Sequence, residues 1–506
     1  GIVYTKEFTM SDFILRDYQE KAVTSVRDSI RAGNKRAVMV MPTGGGKSLC
    51  FAEIIRLALS KGNKCLFLVH RRNLVEQFAE TVKRHVGCDV GIIMSGHQAD
   101  TDLPVQIATI QTFGRRLNLE ELQKNKFFFQ ADVVMVDEAH TAVSKRYSEV
   151  LKLYGDKIII GCTATPMRAD GRGLGEIFDS LVNVVGVKEL TDRGYLAPAR
   201  YFVPPSQPDL TGIKIARGDY EVGELGKRMS EKKLIGDIVD NWLKIAGGLK
   251  TIVFCVNVKH AIAVAEEFRR VGIAARHLSA RSTDEEREQA FTDMDKGRLQ
   301  VICNVALYIE GMDSPDISCV VMARPTKSLG LYRQACGRGL RPNGTATIII
   351  DHGGVVEEHG LLDEELVWSL DGKEKAWKKA KKKENMPKVV QCIACNLVFT
   401  DASICPDCGT PVRKFGKAIE TVDADLEELN KKEKGSVAEK RRFLGMLKAW
   451  VPRQNNPNPK RINGAFKGRY GVWPHHSYKY VAPIEPDAEF LAYMKYQAIR
   501  WAKRNG

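Results

Sequence analysis

A chain of 506 residues exceeds one ordinary hydrophobic core, so two large domains with smaller attachments are expected. With 44% hydrophobic and 27% charged residues it reads as a soluble globular protein. It has no apolar run long enough to cross a membrane, and its opening GIVYTKEFTMSDFIL lacks the basic head and apolar stretch of a signal peptide. The formal charge is +15, and residues 431–506 alone hold 17 Lys and Arg against 5 Asp and Glu, a balance of +12 that suggests a polyanionic partner, nucleic acid first, or else a solvated basic surface.

Residues 1–9 precede Met10 and are expected to be an extension or tag remnant outside the fold. From residue 10 onward, short apolar runs alternate with amphipathic stretches. RAVMVM (36–41), KCLFLVH (64–70), VQIATI (105–110), ADVVMVDE (131–138) and KIIIGCTAT (157–165) read as buried strands, and NLVEQFAETVKRHV between two of them reads as a helix. Runs this uniformly apolar belong to a parallel sheet covered on both faces. The pattern breaks after 196, in LAPARYFVPPSQPDLTG, and resumes with TIVFCV (251–256), IAARHLSA (273–280), LQVICNV (299–305), ISCVVMA (317–323) and ATIIID (346–351). This predicts two α/β parallel-sheet domains in tandem, 10–205 and 206–370. A Lys-rich linker (371–390), a cysteine-paired segment (391–412), a second linker (413–440) and a basic, aromatic-rich C-terminal domain (441–506) follow. Eight of the 12 cysteines are scattered, several within apolar runs, as expected of buried thiols in a reducing compartment.

MPTGGGKSL (41–49) lies between a strand and a helical segment, the context of a phosphate-binding loop. Gly44, Gly45 and Gly46 allow backbone N–H groups to curl round a triphosphate, and the next helix offers its N-terminus to the same anion. Lys47 supplies charge to the β and γ phosphates, and the Ser48 hydroxyl suits Mg²⁺. VVMVDEAH (133–140) ends a strand in two carboxylates, Asp137 placed for Mg²⁺ and Glu138 for activating a water. In RQACGRGLR (333–341), Arg338 and Arg341 are suited to phosphate, and Gly337 and Gly339 to close approach of the backbone.

These motifs, in this order, resemble those of a superfamily 2 helicase of the DEAD/DEAH-box kind over residues 15–365. MPTGGGKS is similar to that superfamily's form of the loop, with Thr43 before the glycines, and TATP (163–166) to its third motif. LRDYQEKAV (15–23) resembles its adenine-recognising element, which implies base contacts from Arg16 and Gln19. LVHRRNLVEQ (68–77) and IATIQTF (107–113) look like its strand-contacting motifs, implying nucleic-acid contacts at Arg71, Arg72, Thr109, Gln111 and Thr112. EGMDSP (310–315), with Gly311 and Asp313 near the nucleotide, and QACGRGLR (334–341) look like the fifth and sixth motifs, although Ile309 stands where relatives often carry Thr. The resemblance implies two RecA-like domains with ATP and Mg²⁺ between them. Gln334, Arg338 and Arg341 would reach from the far wall, and His140, Thr163 and Thr165 would couple hydrolysis to motion. ARPTKSLGLYRQACGRGLRP and GAFKGRYGVWP narrow it to a RadD-like bacterial or phage type, which implies the cytoplasm of a bacterial or infected cell, DNA, single-stranded or branched, and a repair, recombination or replication context with a protein partner at the C-terminal region. An RNA-remodelling enzyme and an ATP-switched nucleic-acid clamp with little hydrolysis are the alternatives.

CIACNLVFTDASICPDCG sets Cys392, Cys395, Cys405 and Cys408 as two knuckles across a short hairpin. Four thiolates in this spacing suit a closed, structural Zn²⁺ site, a zinc ribbon. Disulfides or an iron–sulfur cluster are the alternatives, and His475 and His476 read as surface residues. In the tail, Arg461, Phe466, Lys467, Arg469, Tyr470, Trp473, Tyr478 and Lys479 interleave charge with rings. Either the rings stack on unpaired bases or they form a small helical core beneath solvated charges.

Overall fold

A computed structural model describes residues 14–411, except 98–99, 101, 116–128, 143, 169–170, 206, 217, 306–315, 343, 372–388 and 401. It also describes residues 437–494, except 454–459, 471–473, 475–480, 488–489 and 492. The chain divides into two compact units, Gly1–Glu420 and Thr421–Gly506.

The first unit holds two large sheets. One comprises β1 (Arg36–Val40), β2 (Cys65–Val69), β3 (Gly91–Ile93), β4 (Val105–Thr109), β5 (Val133–Asp137), β6 (Ile158–Thr163) and β7 (Ser180–Asn183), in the order β3-β4-β2-β5-β6-β1-β7. Every pairing is parallel. Its central strands are buried along nearly their whole length, because helices cover both faces. Three of these helices are α1 (Asp17–Arg31), α2 (Lys47–Leu59) and α3 (Arg72–Val86). Since β5, β6 and β1 are adjacent, the motifs at their carboxyl ends are brought side by side: Asp137, Thr163 and the loop before Lys47.

The second sheet contains β8 (Ala199–Phe202), β11 (Thr251–Phe254), β12 (Ala275–Leu278), β13 (Val301–Asn304), β14 (Cys319–Met322), β15 (Thr347–Asp351), β16 (Val389–Gln391) and β17 (Leu397–Thr400). Its order is β12-β13-β11-β14-β15-β8-β17-β16. A small separate hairpin pairs β9 (Ile215–Ala216) with β10 (Asp219–Tyr220). Two features differ from the sequence reading. β8, assigned there to the end of the first domain, pairs in parallel with β15 and so belongs to the second sheet. The cysteine-bearing hairpin β16–β17 is not a separate module, because β17 runs antiparallel to β8 and extends the same sheet. Backbone hydrogen bonding at a sheet edge decides both, and hydropathy does not report it.

In the second unit, helices Val437–Trp450 and Lys460–Tyr470 bury Phe443, Leu444, Met446, Leu447, Phe466 and Phe490 together. The first helix begins inside the expected linker 413–440, whose residues 413–436 lie outside the described ones. Phe466 is fully buried, and the Tyr470 ring lies 5.0 Å from it and 5.5 Å from Phe443. These two rings therefore belong to the core, and base stacking by Phe466 is ruled out. Trp473, His475, His476, Tyr478 and Lys479 lie outside the described residues.

Candidate active site

The glycine loop closes β1 onto α2. Gly44 and Gly46 sit at φ 82° and 80°, a left-handed backbone that side chains resist. No side chain caps α2, so the first N–H groups of that helix are left for an anion. Lys47 Nζ lies 2.9 Å from Glu138 Oε1 in a largely buried pair. Burial disfavours charge on both, but the attraction is stronger. The carboxylates of Glu138 and Asp137 raise the Lys47 pKa, and Lys47 and His140 hold Glu138 well below the usual carboxylate range. Glu138 itself takes a left-handed backbone, φ 48°, uncommon for a residue with a side chain. Its Oε2 is buried without an aligned hydrogen-bond partner among the described residues, and His140 Nδ1 is 3.3 Å away. An orphaned acceptor beside a buried lysine and a bare helix N-terminus fits a site for triphosphate, water and Mg²⁺. Asp137 and Ser48 are the oxygen ligands within it that could hold the metal.

The second domain completes this site. His140 Nδ1 is 3.1 Å from Thr163 Oγ1, Thr163 Oγ1 bonds the backbone of Thr165, and His140 Nε2 lies 3.4 Å from Gln334 Nε2. Gln334 sits on the helix Leu329–Gly337, with Arg338 at its C-terminal end and Arg341 just beyond, both half-buried. A Cβ on Gly337 would lie 3.1 Å from Thr43 Cβ, so the helix rests on the phosphate loop where only glycine fits easily. Gly339 has a different role from the one its sequence suggests. A Cβ there would meet Thr347 Cγ2 at 2.5 Å and Val320 Cγ2 at 3.1 Å, which places it in the packing of the second domain, away from the phosphates.

At the expected base side, Gln19 is buried and both ends of its amide are used. Oε1 accepts from the Arg16 N–H, and Nε2 donates to the Gly45 carbonyl at 3.4 Å. Tyr18 donates its hydroxyl to the same carbonyl. Gln19 thus braces the loop, and among the exposed polar groups here is the Arg16 guanidinium, stacked 4.1 Å over the Tyr195 ring. Tyr195, Leu196 and Ala197 went unrecognised in the sequence, where only the glycine turn at Gly194 marks them. Gly311 and Asp313 lie outside the described residues.

The residues expected to contact a strand gather at the carboxyl ends of the neighbouring strands β2 and β4. Gln111 donates to the His70 carbonyl at 2.7 Å, Arg72 to the Ser95 carbonyl at 3.0 Å, and the Ser95 N–H to Thr112. Arg71 lies half-buried beside them, while Thr109 is buried and bonds Thr112, so it supports the face from beneath. Elsewhere in the unit, the Sγ atoms of Cys392, Cys395, Cys405 and Cys408 all lie within 4.8 Å of one another, two pairs at 3.5 Å. A tetrahedron of Zn–S bonds has edges of roughly 3.8 Å, so the four thiols fit such an ion.

Comparison with known proteins agrees with this geometry. Residues 12–168 match the family described as type III restriction enzyme, res subunit, and residues 233–343 match the helicase conserved C-terminal domain. The chain is 30% identical over 475 residues to a 51.5 kDa protein of a Lactococcus phage, covering 92% of this chain and 99% of that one. The chain is a superfamily 2 helicase. It is also 32% identical to the putative ATP-dependent helicase IRC3 of Saccharomyces cerevisiae, over 65% of this chain and 49% of the yeast protein. The DNA 3'-5' translocase XPB2 of Sulfurisphaera tokodaii is 24% identical over 67% of this chain and 81% of its own length. This helicase therefore spans about half of the yeast relative and nearly all of the phage one. Membership makes it an ATP-hydrolysing enzyme that binds nucleic acid. Among its described residues no helix is long and apolar enough to cross a membrane.

Proposed function

We propose that this helicase translocates on DNA, single-stranded or branched, in repair, recombination or replication, with hydrolysis at the Lys47–Glu138 site. The seat of Gly337 on Thr43 carries the reading, because it brings the Arg338–Arg341 segment of one domain to the phosphate loop of the other. An arriving triphosphate gives Lys47 a stronger anionic partner than Glu138. Glu138, no longer held down by the lysine, regains basicity and takes the proton of the attacking water. Asp137 and Ser48 would hold Mg²⁺, which would supply charge neutralisation at the phosphates. Arg338 and Arg341 stabilise the charge that builds on the γ-phosphate, and Gln334 reports it to His140 and Thr163. Arg71, Arg72, Gln111 and Thr112 hold the strand at the carboxyl edge of the first sheet. A zinc ion in the cysteine quartet is structural, because no ligand position remains open.

DNA is favoured by the likeness to a DNA translocase and by the +12 balance of residues 431–506. The test is ATP turnover on single-stranded, duplex and forked DNA and on single-stranded RNA at equal nucleotide concentration. Strongest stimulation by single-stranded or forked DNA is expected, and stronger stimulation by RNA overturns the DNA assignment.

A further inference from the structure

Just before β8, residues 193–197 touch three parts of the active site at once. The Arg16 guanidinium lies flat over the Tyr195 ring at 4.1 Å, and Arg193 lies 5.1 Å from the same ring. Leu196 packs on the phosphate loop, its Cδ2 only 2.9 Å from where a Cβ on Gly44 would stand. The Ala197 N–H donates to the Leu340 carbonyl at 2.8 Å, beside Arg341 in the sixth motif. Tyr195 is firmly placed. Gly194, at φ 72°, turns the chain, and the N–H groups of Tyr195 and Leu196 both return to the Leu190 carbonyl.

We infer that Tyr195 is the stacking platform for the base of the nucleoside triphosphate, and that the base takes the ring face that Arg16 now covers. Three observations lead there. Gln19, the residue the motif offers for the base, is buried and committed to Gly45 and Arg16. Tyr195 is half-exposed, one residue from a side chain that touches the phosphate loop. A guanidinium resting on an aromatic face marks a surface that accepts a flat, electron-poor group, and a nucleobase is another such group. Arg16 is exposed, tied by one hydrogen bond to the Tyr18 hydroxyl, and can move to the outer face of the base to make a sandwich. Because the platform belongs to the segment joining the two domains, base binding and the arginine-bearing loop are connected through Leu196 and Ala197.

The inference rests on the phosphate loop being the nucleotide site, so the test separates base from phosphates. The Michaelis constant for ATP and the inhibition constant of inorganic tripolyphosphate are measured for the full chain, Tyr195→Ala and Tyr195→Phe, with Mg²⁺ and saturating single-stranded DNA. Losing one base stack should raise the alanine variant's Michaelis constant by about 10-fold. Tripolyphosphate inhibition should stay unchanged, and Tyr195→Phe should match the parent in both. An unchanged Michaelis constant, an equal rise in both constants, or a phenylalanine variant as weak as alanine overturns the platform. Failure of tripolyphosphate to compete with ATP in the parent overturns the phosphate-loop assignment, and the platform with it.

Discussion

His140 and Gln334 meet across the two domains, imidazole Nε2 to amide Nε2 at 3.4 Å. The amide can only donate here, so Nε2 must accept and Nδ1 must carry the proton toward Thr163 Oγ1 and Glu138. The imidazole thus lies between Glu138, 3.3 Å from its Nδ1, and Gln334 of the second domain.

Gln334→Ala should lower nucleic-acid-stimulated turnover by about 10-fold, the worth of one hydrogen bond made on closure. The Michaelis constant for ATP should move little, since Gln334 faces His140. An equal loss of ATP affinity and turnover would show that Gln334 binds nucleotide instead.

Glu138→Gln should retain ATP binding and lose turnover by at least ~10²-fold. The amide keeps the shape of the site but cannot take a proton, and Lys47 keeps Asp137 as an anionic neighbour. Equilibrium binding of ATP beside single-turnover hydrolysis separates the two effects. Near-parental hydrolysis would remove Glu138 from its role as base.

The two glycines of the sixth motif should fail differently. Gly337→Ala puts a methyl 3.1 Å from Thr43 Cβ, between the domains, and should cut turnover about 10-fold with the melting temperature unchanged. Gly339→Ala crowds Thr347 and Val320 within one domain and should destabilise the fold by ~1–3 kcal/mol. Melting curves and turnover of both variants decide, and a reversal of the pattern would move the interdomain contact to Gly339.

The cysteine hairpin should stabilise more than itself. Leu397 and Val398 of β17 pair with Phe202 and Tyr201 of β8, and the Tyr201 hydroxyl accepts the Leu362 N–H. Elemental analysis should find one zinc per chain, and Cys392→Ser should lose it. The variant should also melt earlier and hydrolyse ATP more slowly, because β8 leads from the Tyr195–Ala197 segment into the second sheet. Iron, or zinc loss without any effect on melting, would overturn the assignment or the coupling respectively.

What the sequence disclosed follows from the range of the interactions. Val38, Leu66 and Val134 lie in uninterrupted apolar runs because their strands are covered on both faces, so the central strands were legible. β8 was not, since Ala199 and Arg200 are only half-buried and prolines flank the segment. The motifs singled out Lys47, Glu138 and Gln334, side chains that the fold connects through His140. They misled at Gln19 and Gly339, whose tasks are packing and bracing. Tyr195 carries no local mark: its partner Arg16 is far away in the chain, and only the fold brings them together.

The basic C-terminal unit supplies the last prediction. Phe443, Leu447, Phe466 and Phe490 share one core, so the unit has an interior of its own. Residues 431–506 carry a balance of +12 that would attract phosphates, with Arg442 paired to Asp487 and Arg453 to Glu485. Each phosphate neutralised adds about 0.7–0.9 to the slope of log affinity against log salt. Deleting 431–506 should weaken DNA binding and flatten that slope, while ATP turnover without DNA survives, since Lys47, Glu138, Arg338 and Arg341 all lie in the other unit. Equal affinity and an equal slope in the truncated chain would mean that these charges meet no DNA. The unit would then be a protein-docking module, its small core serving to present a surface to another chain.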